Sequence, residues 1–271
     1  MILVTGATGF LGRELLKNLK GNIRVLSRNE GKLIELKTEY PNIEIITGCI
    51  SDSEICKRAL KGVDKIYHLA AFKHVGQAEK QPYQCVNTNL IGTMNLLKYF
   101  RGTDFIAIST DKAAQVNGVY GASKYLMEEV IREYEYMNAD INYRIVRYGN
   151  VLYSTGSVLC KWKDALLNGK DIIVTDFKAT RYFWTVKEAI QLIFDCEKYA
   201  KDCTPYCPQM KAMTIEDLLS AMMLKYADGK MGKITEIGLQ QGENMHEKIT
   251  KDGLSSAEAE KFTIKEIMEL I

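Results

Sequence analysis

The start of the chain constrains its fold most. Ile2-Leu3-Val4 is a short apolar run, Thr5-Gly6-Ala7-Thr8-Gly9-Phe10-Leu11-Gly12 follows at once, and helical apolar spacing takes over across residues 11–19. Glycines at 6, 9 and 12 permit a tight turn, close approach of a pyrophosphate, and close packing of helix on strand. The helix start then offers unpaired backbone N–H groups to phosphates. A glycine trio alone is weak evidence, but the strand before it and the helix after it supply the context of a dinucleotide site. Gly6, Thr8, Gly9, Phe10, Leu11 and Gly12 are therefore cofactor candidates.

The second apolar run ends in Ser27-Arg28-Asn29. An acidic residue there would bind the ribose 2′-hydroxyl of NAD, whereas Arg28, with Ser27 beside it, suits a 2′-phosphate, so NADP is expected over NAD. A solvated loop arginine is the plainer alternative. Ala70 and Ala71 leave room for a cofactor. Asn89 can hold a backbone carbonyl or a water near the site, or simply start a helix.

Short β runs at residues 2–4, 23–26, 43–46, 65–67, 105–108 and 142–146 alternate with helical patterns such as 11–19, 54–60 and 90–100. That alternation predicts an α/β fold, a doubly wound parallel sheet with ligands at the carboxyl ends of its strands. After about residue 150 the rhythm breaks. Helical patterns at 158–167, 186–199 and 214–226, with short strands at 172–174 and 234–237, read as a smaller mixed lobe. The expected division is 1–150 for the nucleotide and 151–271 for the substrate, the two packed together because the chain has four prolines and no low-complexity linker. Thr214-Ile215-Glu216-Asp217 fits a helix-start box, while Trp162, Met213, Met222 and Met223 fit core.

A net charge of +2 over 271 residues, with no basic stripe, gives no reason to expect nucleic acid. No apolar run is long enough to cross a bilayer and no leader pattern is seen, so no membrane partner is expected. The seven cysteines show no disulfide framework, which points to reduced thiols and a cytoplasmic location. With only three histidines, no metal site is expected.

The chemistry-bearing stretch is Ser109-Thr110-Asp111-Lys112 followed by Tyr120-Gly121-Ala122-Ser123-Lys124. The first part ends a buried strand and the second opens a helix. Tyr120 and Lys124, four apart, share one helical face. A free tyrosine titrates at about 10, and a neighbouring ammonium favours the phenolate, so Tyr120 can serve as a base. An ordinary surface pair, and a solvated Asp111-Lys112 loop pair, are the plainer alternatives.

These residues resemble the extended short-chain dehydrogenase/reductases. More narrowly, His68 through Val75, Ser109 through Ala113, Tyr148-Gly149-Asn150-Val151, Thr180 through Thr185 and Gly242 through Glu247 look like UDP-N-acetylglucosamine 4,6-dehydratases, over residues 1 to about 250. Keeping both Lys112 and Tyr120 resembles the soluble, C5-inverting branch of pseudaminic acid and capsular amino-sugar pathways. The resemblance implies an internal redox dehydration with NADP. Tyr120 takes the 4-hydroxyl proton, assisted by Thr110 and by Lys124. Lys112, as neutral amine, removes the carbon 5 proton, and Asp111 protonates the departing 6-hydroxyl. Tyr148, Asn150 and Val151 join the cofactor set, and Lys73, Thr110, Asn150 and Arg181 the substrate set, with Arg181 expected at the diphosphate. His246 with Glu247 would brace the substrate lobe. Relatives also imply a homo-oligomer, through helices such as 90–100 and 120–135. The chain departs from the pattern at Cys49 (usually Asp), at Thr155 and Gln240 (usually Arg) and at Asn244 (usually Lys), with Lys161 a candidate substitute cation. Two rivals stay open: a nucleotide-sugar 4-epimerase or ketoreductase, and a non-catalytic NADP-binding sensor or scaffold.

Overall fold

The computed structural model describes residues 1–227, 229 and 231–271. Its first half runs β1 (Ile2–Thr5), α1 (Phe10–Asn18), β2 (Ile23–Ser27), α2 (Glu30–Glu39), β3 (Glu44–Thr47), α3 (Ser53–Ala59), β4 (Lys65–His68), α4 (Val75–Lys80), α5 (Pro82–Val86), a π-helical turn (Asn87–Ile91), α6 (Gly92–Tyr99), β5 (Asp104–Thr110), a 3-10 turn (Asp111–Ala113), α7 (Val119–Met137) and β6 (Asn142–Tyr148). The six strands form one sheet in the order β3-β2-β1-β4-β5-β6, every pairing parallel. The order reverses between β1 and β4, which opens the crevice where such sheets hold ligands.

The strands are continuous apolar runs because helices cover both faces. On one face α3, α6 and α7 bury Leu96, Leu97, Met127 and Ile131 against Phe105 and Tyr143. On the other, α1 and α2 bury Leu15, Leu16, Leu33 and Leu36 against Val4 and Val25.

The rest comprises β7 (Asn150–Val151), α8 (Val158–Asn168), β8 (Ile172–Val174), β9 (Thr180–Trp184), α9 (Val186–Tyr199), β10 (Ala212–Thr214), α10 (Ile215–Tyr226), β11 (Ile234–Glu236) and α11 (Ile264–Leu270). Two small sheets, β10-β9-β7 and β11-β8, join α8, α10 and α11 around Trp162, Phe183, Met213, Leu218, Met222 and Ile267. The Thr214 side chain accepts the Asp217 backbone N–H at 2.9 Å, as the helix-start pattern requires; such a cap contributes about 1 kcal/mol. Helix α9 departs from a simple two-lobe division. Its Ala189, Ile190, Ile193 and Cys196 enter the core of the large sheet beside Leu15 and Val146, so the chain beyond residue 150 also builds the first layer.

The expected helix over 90–100 is longer and irregular, since helical backbone begins at Pro82 and passes through the π turn. The turn points Asn89 inward. Its Oδ1 accepts the Phe72 backbone N–H at 2.7 Å, and its Nδ2 donates to the Phe72 carbonyl at 2.9 Å and to Ser123 Oγ at 2.9 Å. One buried amide thus ties the loop after β4 to α7. Such bulges recur where a side chain must be aimed out of helical register.

Candidate active site

One cleft of about 980 Å³ runs from the β1–α1 turn across the carboxyl ends of β4, β5 and β6 to the smaller sheets. At its nucleotide end Gly6 has φ +72°, and a Cβ there would lie 2.7 Å from the Ala70 backbone nitrogen. A Cβ at Gly12 would lie 2.5 Å from the Gly6 carbonyl oxygen. Neither neighbour can move without moving the sheet, so both positions need glycine. No side chain caps the start of α1, which leaves backbone N–H groups for a pyrophosphate. Thr8 Oγ1 and Ser27 Oγ are hydrogen-bonded at 2.7 Å beside Arg28. Arg28 is exposed on the cleft and, among the described residues, has no carboxylate partner. The cradle therefore fits a dinucleotide.

At the other end the chemistry-bearing groups converge. Thr110 closes β5 and donates its hydroxyl to Asp111 Oδ1 at 2.9 Å. Lys112 Nζ lies 3.0 Å from Asp111 Oδ1 and 3.2 Å from Glu247 Oε1, and both carboxylates are fully buried. Glu247 Oε1 also lies 3.8 Å from Arg181 Nε. Asn244 Nδ2 donates to Glu247 Oε2 at 3.1 Å. Among the described residues, Asp111 Oδ2, Glu247 Oε1 and the Tyr148 hydroxyl are buried and meet no hydrogen-bond geometry.

These contacts set the charges. Burial works against the Lys112 ammonium, but Asp111 and Glu247 outweigh it and hold its pKa above the ordinary lysine value. Burial, with the Glu247 charge added, raises Asp111 despite Lys112. Burial also opposes ionised Glu247, yet Lys112 and then Arg181 keep it below the usual carboxylate range. Lys112 is thus favoured as the ammonium, not the neutral amine expected from the sequence, because two buried carboxyl groups flank it and Glu247 is held ionised.

Tyr120 sits in the first turn of α7, whose start is fixed by Glu79 Oε1 accepting the Val119 N–H at 2.6 Å. Burial pushes the Tyr120 phenol up to about 12, with Lys112 and a hydrogen bond to Thr110 pulling it down. The ammonium expected to act on Tyr120 was Lys124; in the structure the one pulling it down is Lys112. Lys124 Nζ instead donates to the Ile108 carbonyl at 2.5 Å and contacts Met127 Sδ at 3.1 Å. Burial brings it down to about 8.

Of the residues singled out from sequence, Gly6, Thr8, Gly9, Phe10, Leu11, Gly12, Ser27, Arg28, Ala70, Ala71, Lys73, Thr110, Lys112, Tyr120, Lys124, Tyr148, Asn150, Val151 and Arg181 line the cleft. Asp111 and Asn89 stand behind its wall. Arg181 lines the cleft beside Glu247. Its guanidinium donates to the Thr180 carbonyl at 2.8 Å and the Met245 carbonyl at 3.1 Å, next to Glu247. Thr155, Gln240, Lys73, His74 and Lys161 gather at another part of the cleft, with Lys73 Nζ donating to the Thr155 carbonyl at 3.2 Å. Burial, and then Lys73 and Lys161, lower His74, which favours its neutral form beside the two lysines.

Sequence reading missed two features. Glu247 lies against Lys112, although its glycine–glutamate–histidine block was noticed. Buried Glu128 on α7 pairs with Arg147 on β6 and accepts the Ser109 hydroxyl. Arg147 in turn donates to the Ile249 carbonyl at 2.8 Å, so the floor of the site is locked to the segment that carries Glu247.

Fold and cradle together define an extended short-chain dehydrogenase/reductase. Within that class, residues 2–269 match the family described as polysaccharide biosynthesis protein, and the chain belongs to it. It is 36% identical over 265 residues to an uncharacterized membrane protein of Methanocaldococcus jannaschii, covering 92% of this chain and 79% of that protein. It is 32% identical to the UDP-N-acetylglucosamine 4,6-dehydratase (inverting) of Campylobacter jejuni, covering 91% and 76%. It is 30% identical to the UDP-glucose 4-epimerase of Rickettsia bellii, covering 95% and 80%. Among solved structures, Pen from Bacillus thuringiensis superposes with a TM-score of 0.87 at 30% identity, covering 92% and 80%. The chain therefore lies in the branch that holds dehydratases and epimerases of nucleotide sugars. No helix among the described residues is long and apolar enough to cross a membrane.

Proposed function

We propose that this chain is an NADP-dependent 4,6-dehydratase acting on UDP-N-acetylglucosamine or a closely related nucleotide-amino-sugar, with inversion at carbon 5. The observation that carries the reading is the shared cleft, in which the Lys112 side chain, only 14% exposed, and Tyr120 both face the space that begins at the glycine turn. An epimerase needs the phenol but has no use for a lysine held between two carboxylates, which favours the dehydratase over that rival. A sensor needs neither.

In this reading residues 1–150 hold the cofactor and residues after 150 close over the substrate. Gly6, Gly9, Gly12 and the start of α1 hold the pyrophosphate, Arg28 the 2′-phosphate, and Lys124 the ribose. The cofactor, when bound, accepts a hydride and gives it back, so none is consumed. Tyr120, with Thr110, takes the proton of the 4-hydroxyl. The 4-ketone acidifies carbon 5, Lys112 removes that proton, and Asp111, whose carboxyl burial and Glu247 hold above its ordinary value, gives its proton to the departing 6-hydroxyl. Lys73 and Lys161, with Arg181, offer the substrate diphosphate positive charge. Self-association is part of the proposal, through the exposed Ile91, Met94, Tyr125 and Leu126 of the helices beside the site. The native mass in solution tests it, and a monomer would rule it out.

Incubation with UDP-N-acetylglucosamine and NADP should yield a product lighter by one water, with no net reduced cofactor. An epimeric sugar of unchanged mass would establish the epimerase, a 4-keto sugar two hydrogens lighter with matching reduced cofactor the ketoreductase, and an unchanged sugar the sensor. Arg28→Ala should weaken NADP binding by roughly tenfold or more while leaving NAD binding nearly unchanged, the loss of one charge-assisted phosphate contact. Equal weakening of both would remove Arg28 from cofactor choice.

A further inference from the structure

A lysine that is charged at rest cannot take a proton from carbon until it has lost one. Resting on the reading that Lys112 works at carbon 5, we propose that Glu247 is the positioning residue that receives this proton and returns it. Two carboxylates flank the ammonium, and they are not equivalent. Asp111 lies behind the cleft wall, and its Oδ1, the atom nearest Lys112, already accepts the Thr110 hydroxyl. Glu247 lines the cleft, and its Oε1 faces Lys112 Nζ at 3.2 Å, with Arg181 Nε farther off at 3.8 Å and, among the described residues, no other polar partner.

The rest of Glu247 is fixed. Its Oε2 accepts from Asn244 at 3.1 Å, and its backbone N–H donates to Ser256 Oγ at 2.8 Å. The carrying segment is pinned to the loop before α7, where Asn117 Nδ2 donates to the Glu243 carbonyl at 2.7 Å and Asn244 Nδ2 to the Gln115 carbonyl at 3.2 Å. One free oxygen is therefore held at hydrogen-bond distance from the amine by groups that take no part in the chemistry.

In the transfer an N–H bond of Lys112 breaks and an O–H bond forms at Glu247 Oε1. Both groups end neutral and the total charge is unchanged. The free amine then takes the carbon 5 proton, and the C–H electron pair passes into the enolate of the 4-ketone. Asp111 keeps its own proton for the leaving hydroxyl. The charged and titratable groups around Glu247 are Lys112 and Asp111 after β5, Arg181 and Tyr182 on β9, and His246 and Lys248 beside it in its own segment. Once the Lys112 ammonium has given a proton back to carbon 5, the amine is free again, and since Lys112 and Arg181 favour the carboxylate, Glu247 returns its proton to Lys112.

The test isolates carbon 5 from hydride transfer. The 4-keto-6-deoxy product is incubated with enzyme in deuterated buffer, and exchange at carbon 5 is followed by NMR across pH. Wild type should exchange. Glu247→Gln should exchange at least ~100-fold more slowly, rise steeply towards high pH as solvent takes over as acceptor, and bind product and NADP normally. Glu247→Asp should recover part of the rate and of the wild-type pH profile. Glu247→Gln exchanging at the wild-type rate with the same profile would overturn the proposal and make Asp111 the acceptor. If that variant does not fold, infrared spectra of wild type carrying carboxyl-labelled glutamate serve instead. A neutral acid band should appear when the ketone binds, and its absence overturns the proposal. No exchange by wild type would sink the dehydratase reading itself.

Discussion

Lys112→Ala should bind NADP, oxidise the sugar at carbon 4 and then stop, releasing no water. The first step keeps the phenol and Thr110 but loses the cation that pulls the phenol down, so it should slow and need higher pH without being abolished. The second loses its base, so dehydration should fall by a factor on the order of 10²–10⁴, the usual contribution of a positioned acid or base. Reduced cofactor should accumulate in a single turnover, visible by its absorbance, instead of passing through. Full dehydration by the variant would remove Lys112 from the mechanism.

The same substitution should act on stability, and the sign follows from the burial. Removing the cation leaves Asp111 and Glu247, both 0% exposed, without their common partner. Breaking a buried pair in this way costs about 3–5 kcal/mol. In wild type the Glu247 carboxyl is held below its ordinary value, so its contribution is present above the ordinary carboxylate range and is lost as pH falls through the lower folded value. In the variant burial acts unopposed by Lys112 and moves both carboxyls upward. Its deficit should therefore be largest near neutral pH and shrink on acidification, as the two groups take up protons. Thermal melts of both proteins from neutral to mildly acidic pH would show the gap closing. A gap independent of pH would mean that the loss is one of packing, not of charge.

The parallel sheet was legible because its strands are buried on both faces and read as continuous apolar runs, such as Phe105-Ile106-Ala107-Ile108. The nucleotide cradle was legible because Gly6 and Gly12 answer a local steric demand. The region from Gly76 to Asn89 was not, since its Gln, Glu, Lys and Asn residues carry no clear period. Its π turn exists to satisfy Phe72, a tertiary need that no local propensity records. The resting charge of Lys112 was hidden for a related reason. Sequence shows the adjacent Asp111, but the carboxyl held ionised is that of Glu247 near the far end of the chain, carried by a loop held on the segment before α7. Likewise Tyr120 and Lys124 share a helical face as their spacing requires, yet the ammonium of Lys124 turns away to the Ile108 carbonyl, because that buried oxygen lies within its reach. Spacing fixes where a Cβ points, and the partners offered by the rest of the fold decide where a long side chain ends.

Tyr120→Phe should abolish the oxidation at carbon 4 while leaving the fold and the carbon 5 chemistry in place. The substitution keeps the ring and removes one hydroxyl. Thr110 still has Asp111 Oδ1 to donate to at 2.9 Å, so no buried donor is stranded and the stability change should stay near 1 kcal/mol. The catalytic loss should be far larger, on the order of 10²–10⁴. The pH dependence carries the assignment. Burial pushes the phenol up to about 12, against the pull of Lys112 and Thr110, so in wild type the fraction of phenolate, and with it the rate of oxidation, should climb as pH rises above neutral. The variant should show a residual rate without that climb. Offered the ready-made 4-keto product, Tyr120→Phe should still exchange the carbon 5 proton at nearly the wild-type rate, since Lys112 and Glu247 are untouched. This is the mirror of Lys112→Ala, which oxidises but does not exchange. If Tyr120→Phe turned over normally, or kept the wild-type climb with pH, the proton of the 4-hydroxyl would have to leave by another group, and the phenolate assignment would fall.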